Sequence, residues 1–131
     1  MPNTLPKIII GIIGEKGAGK GTAVQSINER YHAKHFRFSL ILEDILKRIS
    51  VENSRQNLAK LFGKLEEGFG SQVLAVTMRQ DIRFSKSHLI IVEGLRRWAE
   101  VEELKKLPNF HLIAIHADIR TRYERTKKRG E

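Results

Sequence analysis

The stretch Ile8-Ile9-Ile10-Gly11-Ile12-Ile13-Gly14 leaves a chain few ways to fold. Apart from its glycines it is β-branched, and it offers no charge to a wet face. Such a run fits a central parallel strand covered on both sides. Glu15-Lys16-Gly17-Ala18-Gly19-Lys20-Gly21-Thr22 follows at once. Its glycines let the backbone turn tightly and bring N–H groups close to something bulky. Lys20 arrives where the next helix is expected to start. A concave row of N–H groups, a helix N-terminus and an ammonium together favour an anion, most simply a polyphosphate.

The spacing is Gly14, four residues, Gly19, Lys20. The generic phosphate-loop pattern places Ser or Thr directly after the lysine. Here Gly21 intervenes and the hydroxyl of Thr22 comes one residue late. Lys20 is expected to contact the terminal phosphates and follow charge onto a transferred phosphoryl group. Thr22 and the Gly21 N–H would support phosphate and metal contacts, with magnesium neutralising the phosphates. Hydrolysis uses the same parts, so the loop alone does not separate a kinase from an NTPase.

The rest of the chain alternates strands and helices. A helix is expected from Gly19 or Lys20 to about Tyr31, with Val24 and Ile27 inward. His35-Phe36-Arg37-Phe38 reads as a short strand, with Ser39 as the cap of the following helix. Leu40, Ile41, Ile45, Leu46 and Ile49 form that helix's apolar stripe. Ser50–Asn53 interrupts it. Further helices are expected over Ser54–Glu67, presenting Leu58, Leu61, Phe62 and Leu65, and over Ser71–Gln80, carrying Val73, Leu74, Val76 and Thr77. Residues 39–80 thus read as a helical arm that covers an acceptor. Leu89–Val92 is the clearest later strand, and Ala99–Leu107 a helix with Val101, Leu104 and Leu107 inward. Phe110–Ile115 is a further strand and Ile119–Lys128 a last helix started by Asp118. This order predicts a three-layer α/β fold with a mostly parallel sheet, its ligand site beyond the carboxyl ends of the strands.

Several residues past the loop carry candidate chemistry. Glu93 ends a buried strand, where a carboxylate can hold magnesium-bound water or orient an acceptor, and Gly94 leaves room for a ligand. Arg96 and Arg97, one or both, can bind an acceptor phosphate. Asp44, Arg37, Arg55 and Lys60 are weaker candidates on the arm. Arg120, Arg122, Arg125 and Arg129 cluster near the end, with Arg125 and Arg129 on one helix face. Trp98 reads as a packing anchor. His32, His35, His88, His111 and His116 lack compact metal spacing.

Size and composition set the remaining bounds. A chain of 131 residues is expected to form one domain. It contains no cysteine, which excludes disulfides and thiolate chemistry. No apolar run approaches the length of a membrane span, and a cytoplasmic location is the default expectation. The net charge is +9, yet basic residues are interspersed with acids through most of the chain and are dense only from Arg120 to Arg129. Such a charge suits nucleic acid, anionic lipid or phosphorylated small molecules, and by itself it is only a weak argument for nucleic acid.

Gly14-Glu15-Lys16-Gly17-Ala18-Gly19-Lys20-Gly21-Thr22 resembles the phosphate loop of nucleoside-monophosphate kinases, in which a glycine commonly separates lysine from threonine. The wider chain resembles microbial adenylate-kinase-like and dephospho-coenzyme A kinase-like P-loop proteins. Phe36-Arg37-Phe38-Ser39, Asp44-Ile45-Leu46-Lys47-Arg48, Asn53–Gly70 and Val92-Glu93-Gly94-Leu95-Arg96-Arg97 carry that likeness. The resemblance implies magnesium-dependent transfer from ATP to a nucleoside or deoxynucleoside monophosphate. Its alternatives are dephospho-coenzyme A, a catalytically weak ATP-binding regulatory module, and an NTPase. By the same resemblance Gly14, Gly17, Ala18, Gly19, Lys20, Gly21 and Thr22 hold ATP, joined by Arg125 and Arg129. Ser39, Glu93, Gly94, Arg96 and Arg97 face the acceptor, Thr22 and Glu93 serve magnesium, and Lys20, Arg96 and Arg125 assist transfer. Residues 120–131 begin a lid, so the fold is expected without its last strand and full lid. Three departures stand out. Glu93 replaces a common aspartate, and Glu43 and Glu66 stand where basic residues are expected.

Overall fold

The apolar run becomes the strand its composition requires, β1 (Ile8–Gly14). A computed structural model describes residues 6–14, 19–116 and 119–128 of the chain, excluding the side chains of 119, 121, 122 and 125. After β1 come α1 (Lys20–Tyr31), β2 (Lys34–Arg37), α2 (Phe38–Arg48), α3 (Arg55–Phe69) and α4 (Val73–Phe84). β3 (Leu89–Glu93), α5 (Trp98–Leu104), β4 (Phe110–Ile115) and α6 (Ile119–Lys128) complete the order. Among the described residues the strands form one four-stranded sheet, β2-β3-β1-β4. Every pairing in it is parallel.

Register assigns each strand residue to a face, because side chains alternate along a strand. Ile9 pairs with Ile90 and Gly11 with Val92, while Ile10 pairs with Ile91. Ile9, Ile90 and Val92 join the larger core with Phe38, Leu42, Leu74, Met78, Ile82, Val101 and Leu104. That face is therefore covered by α2, α4 and α5, with Leu58, Leu61, Phe62 and Leu65 of α3 packed at the margin. Ile12, Ile91 and Val24 of α1 form the second core, on the opposite face. Helices on both sides of a parallel sheet make the three-layer α/β architecture of a P-loop NTPase fold. Each fully buried Ile, Leu or Met contributes roughly 1.5–3 kcal/mol.

Gly11 interrupts the isoleucine run for a packing reason. A Cβ there would lie 2.9 Å from Leu95 Cδ1 and 2.9 Å from Cζ of Phe110. The glycine thus admits a side chain from the β3–α5 loop and an aromatic ring from β4.

The structure corrects several local expectations. α2 begins at Phe38 with Arg37 at its N-cap, so Ser39 lies inside the first turn and caps nothing. The buried stripe of the helix is Phe38, Leu42 and Leu46, while Leu40 and Ile49 are exposed. α4 runs past Gln80 to Phe84 and buries Leu74, Ala75, Met78 and Ile82, while Val76 is exposed. Its C-terminal carbonyls on Ile82 and Arg83 accept hydrogen bonds from Lys7 Nζ at 2.8 and 3.0 Å, a cation placed well for the helix dipole. α5 closes at Leu104; a turn carries Leu107 into the core, with Leu107 N donating to Leu104 O. Trp98 is no packing anchor: it is 62% exposed, with Lys105 Nζ 4.5 Å above its ring. Glu103 is buried between α4 and α5, where Arg79 and Lys106 neutralise it.

No helix among the described residues is long and apolar enough to cross a membrane. Gly11→Ala is expected to force Leu95 or Phe110 aside at a cost of about 1–3 kcal/mol. A matching loss of stability in urea unfolding would confirm the close approach, and an unchanged midpoint would refute it.

Candidate functional site

Two neighbouring strands send their helices to opposite faces of the sheet. β1 leads into α1, which packs on Ile12 and Ile91. β3, its hydrogen-bonded neighbour, leads into α5, which packs on the other core through Val101 and Leu104. Divergent exits open a crevice at the carboxyl ends of the two strands, the place where open α/β sheets bind ligands. Gly14 and the start of α1 border one side of it, and Glu93-Gly94-Leu95-Arg96-Arg97 the other.

On the loop side, Gly14 must be small. A Cβ on it would stand 2.7 Å from the Ile115 carbonyl oxygen and 3.2 Å from Lys20 Cγ. Lys20 Nζ donates to Gly14 O at 2.5 Å, which holds the ammonium over the start of the loop. Gly19 takes a left-handed φ of 103° as the N-cap of α1 and supplies no side-chain cap. The first turn of α1 contains no acidic residue. Its first N–H groups therefore lack the usual side-chain acceptor and present positive potential. Thr22 is exposed in that turn, and a Cβ on Gly21 would meet nothing within 4 Å. Gly17 and Ala18 lie outside the described residues.

On the other side, register places Glu93 beyond Val92 and level with Ile12, on the face that carries α1. Arg37 pairs with Glu93 across β2 and β3, and His35 stands two residues earlier on the same face. Arg37 Nε donates to Glu93 Oε2 at 3.2 Å, and His35 Nδ1 lies 3.6 Å from the same oxygen. Both contacts use Oε2, which leaves Oε1 for a further donor or for metal-bound water. Gly94 turns the chain with φ 82°, a conformation that favours glycine. Leu95 then anchors the loop in the core.

Glu100 organises the next two residues. Its Oε1 accepts the backbone N–H groups of both Arg96 and Arg97 at 2.9 Å. The Arg96 side chain is exposed. The Arg97 side chain, still 38% exposed, is instead held by neighbouring groups. Its Nη2 lies 2.7 Å from Glu66 Oε2 on α3 and 3.5 Å from Glu100 Oε2, and it donates to Ser71 O at 3.2 Å. The Phe62 ring centroid is 5.3 Å from its guanidinium carbon. The Glu66 carboxylate raises the Arg97 pKa above its ordinary value; burial opposes that effect and Glu100 reinforces it.

Ser39 lies exposed in the first turn of α2, just beyond β2. Glu43 and Asp44 line a groove of ≈ 480 Å³ with Leu40, Lys47, Val51 and Asn53. Arg129 is outside the described residues, and Arg125 is described only as part of the α6 backbone. Sequence reasoning missed Glu100, although a glutamate three residues after a helix start is a capping signal. It also missed the Arg37–Glu93 and Arg97–Glu66 partnerships, which depend on register and on the docking of α3.

Among the described residues no group of three or more His, Asp or Glu side chains could hold a metal by itself. A hydroxyl on Thr22 and a half-engaged carboxylate on Glu93 instead suit a hard cation shared with phosphates and water.

The fold and loop define a nucleotide-binding domain of the P-loop, kinase-like class. The family model described as "AAA domain" matches residues 13–131, and the chain belongs to that family. A UPF0200 protein of Methanocaldococcus jannaschii is 34% identical over 125 residues, covering 94% of this chain and 63% of the relative. A UPF0200 protein of Sulfurisphaera tokodaii is 32% identical over 122 residues, covering 93% and 66%. The chain thus spans just under two thirds of these relatives' length. The crystal structure of an uncharacterized protein from Eubacterium ventriosum shares the fold at a TM-score of 0.60 and 21% identity, covering 95% of this chain and 62% of that one.

Glu100→Ala is expected to leave two backbone N–H groups without their acceptor and to cost about 2 kcal/mol. Glu100→Gln, which keeps a carbonyl oxygen, is expected to cost less. Thermal unfolding of both variants checks this; equal stability of all three proteins would sink the assignment.

Proposed function

We propose that the chain binds ATP with magnesium through Gly14–Thr22 and transfers the terminal phosphoryl group to a nucleoside or deoxynucleoside monophosphate. The observation that carries this reading is the placement of Lys20 and the Glu93–Arg97 segment after neighbouring parallel strands whose helices leave to opposite faces, on either bank of one crevice. Donor and acceptor groups would meet there, and catalysis would rest on placement and charge.

In this reading the uncapped start of α1 and the Lys20 ammonium receive the donor's phosphates. Lys20 leaves the Gly14 carbonyl and follows the charge developing on the transferred group. Thr22 and Glu93 Oε1 would hold magnesium, directly or through its water, and the ion would neutralise the phosphate oxygens. Arg96, exposed at the crevice, would take the acceptor's phosphate, while Ser39 would contact the acceptor from the start of the helical arm at residues 39–80. Arg125 and Arg129 are proposed to reach ATP from the beginning of a lid over residues 120–131. A cytoplasmic location fits a soluble small-molecule substrate.

A second reading has its own support. Arg37 and Arg97 are both engaged by carboxylates of the chain itself. A site so neutralised would suit an ATP-binding regulatory module or an NTPase with weak acceptor binding. Measuring ADP formation with ATP, magnesium and a panel of monophosphates and dephospho-coenzyme A separates the readings. The kinase reading requires acceptor-dependent ADP. Turnover indifferent to every acceptor would establish hydrolysis instead, and ATP binding without turnover the regulatory module.

Lys20→Ala is expected to lower the transfer rate by about 100-fold. Retention of full activity in that variant would remove Lys20 from the mechanism. Chelation of magnesium is expected to abolish transfer while the circular-dichroism spectrum stays unchanged.

A further inference from the structure

Arg97 stands on the acceptor bank of the crevice, yet its charge already has partners. Glu66 Oε2 is buried and lies 2.7 Å from Arg97 Nη2. This is a charge contact without the alignment of a good hydrogen bond, unlike the paired fork that arginine forms with a well-placed carboxylate or phosphate. Glu100 Oε2 adds negative charge at 3.5 Å, and Phe62 covers one side of the guanidinium. Arg96, one residue earlier, is exposed, and its backbone N–H donates to Glu100. Adjacent arginines therefore differ: Arg96 is open to an anion, whereas Arg97, though partly exposed, already has two carboxylates of the chain beside it.

We propose that Glu66 is a specificity-determining residue, an internal carboxylate that occupies Arg97 in place of an acceptor's phosphate and leaves phosphate capture to Arg96 alone. The proposal rests on the acceptor site described above. Its chemistry is competition between two anions for one guanidinium. A phosphate monoester approaching Arg97 must displace Glu66 or sit beside it, and the second arrangement brings like charges together. Glu66 is carried on α3, so the same contact ties the helical arm to the β3–α5 loop. Anion affinity and arm position are thereby coupled through one pair.

Calorimetry with inorganic phosphate, and separately with AMP, tests this on the full chain. Glu66→Gln is expected to tighten both by about fivefold, the scale of one partly exposed charge pair. Arg97→Gln in the parent background is expected to change affinity less than about twofold, on the same scale. The E66Q/R97Q double variant should lose the gain. An unchanged or weaker affinity in E66Q, or a large loss in R97Q alone, overturns the proposal. Guanidinium NMR of the unmutated protein gives a readout independent of variant folding, with signals assigned through Arg96→Lys and Arg97→Lys. Phosphate should shift the Arg96 signal at concentrations that leave Arg97 unmoved; simultaneous shifts, or a shift of Arg97 alone, refute the proposal. Phosphate binding requires neither ATP nor turnover. A gain in E66Q without acceptor-dependent ADP formation would therefore sink the kinase reading and keep this one, and the reverse result would do the opposite.

Discussion

The close approach at Gly11 is the contact on which the site depends. One hydrogen atom in place of a side chain lets Leu95 and the Phe110 ring meet over the middle of β1. Leu95 belongs to the loop that carries Glu93, Arg96 and Arg97, and Phe110 opens β4. Three strands and one functional loop are thus indexed to a single backbone position. Interiors packed as densely as this transmit small displacements. A shift of Leu95 would move the arginine pair relative to Lys20, so the core sets the distance between the two banks of the crevice.

Local pattern was enough to read the scaffold. The isoleucine run, the glycine spacing and the alternation of strands with helices led directly to a parallel sheet with helices on both sides. The lysine loop was legible for the same reason, because its chemistry is written in consecutive residues. What escaped the sequence was relational. The buried face of α2 is set by how the helix docks, which turns Phe38, Leu42 and Leu46 to the core and leaves Leu40 and Ile49 out. Lys7 reaches the end of α4 across more than seventy positions, a contact no window of sequence contains. Trp98 is no anchor because the first position of α5 faces solvent, which its residue type does not reveal.

The acidic departures gain meaning from the structure. Glu66 had read as a charge of the wrong sign for an anion site. It is one half of a pair with Arg97, and Glu93 is likewise one half of a pair with Arg37. Charges that look misplaced one at a time are balanced across elements. Glu100 belongs to the same set: it is buried, and its two backbone partners together with Arg97 repay its desolvation. The crevice is therefore close to electrically compensated on its β3 side and positive on its β1 side.

The position of β1 has a temporal side as well. It precedes both of its partner strands in the chain, and it is an inner strand of the sheet. Its partners Leu89 and Phe110 lie about 80 and 100 residues downstream. At synthesis rates of about 5–20 residues per second, several seconds pass before either partner exists. During that interval the most apolar segment of the chain has no sheet to enter. Closing such distant pairs costs chain entropy before any contact rewards it. The strand that leads into the lysine loop is thus locked in place only after β3 and β4 have been made.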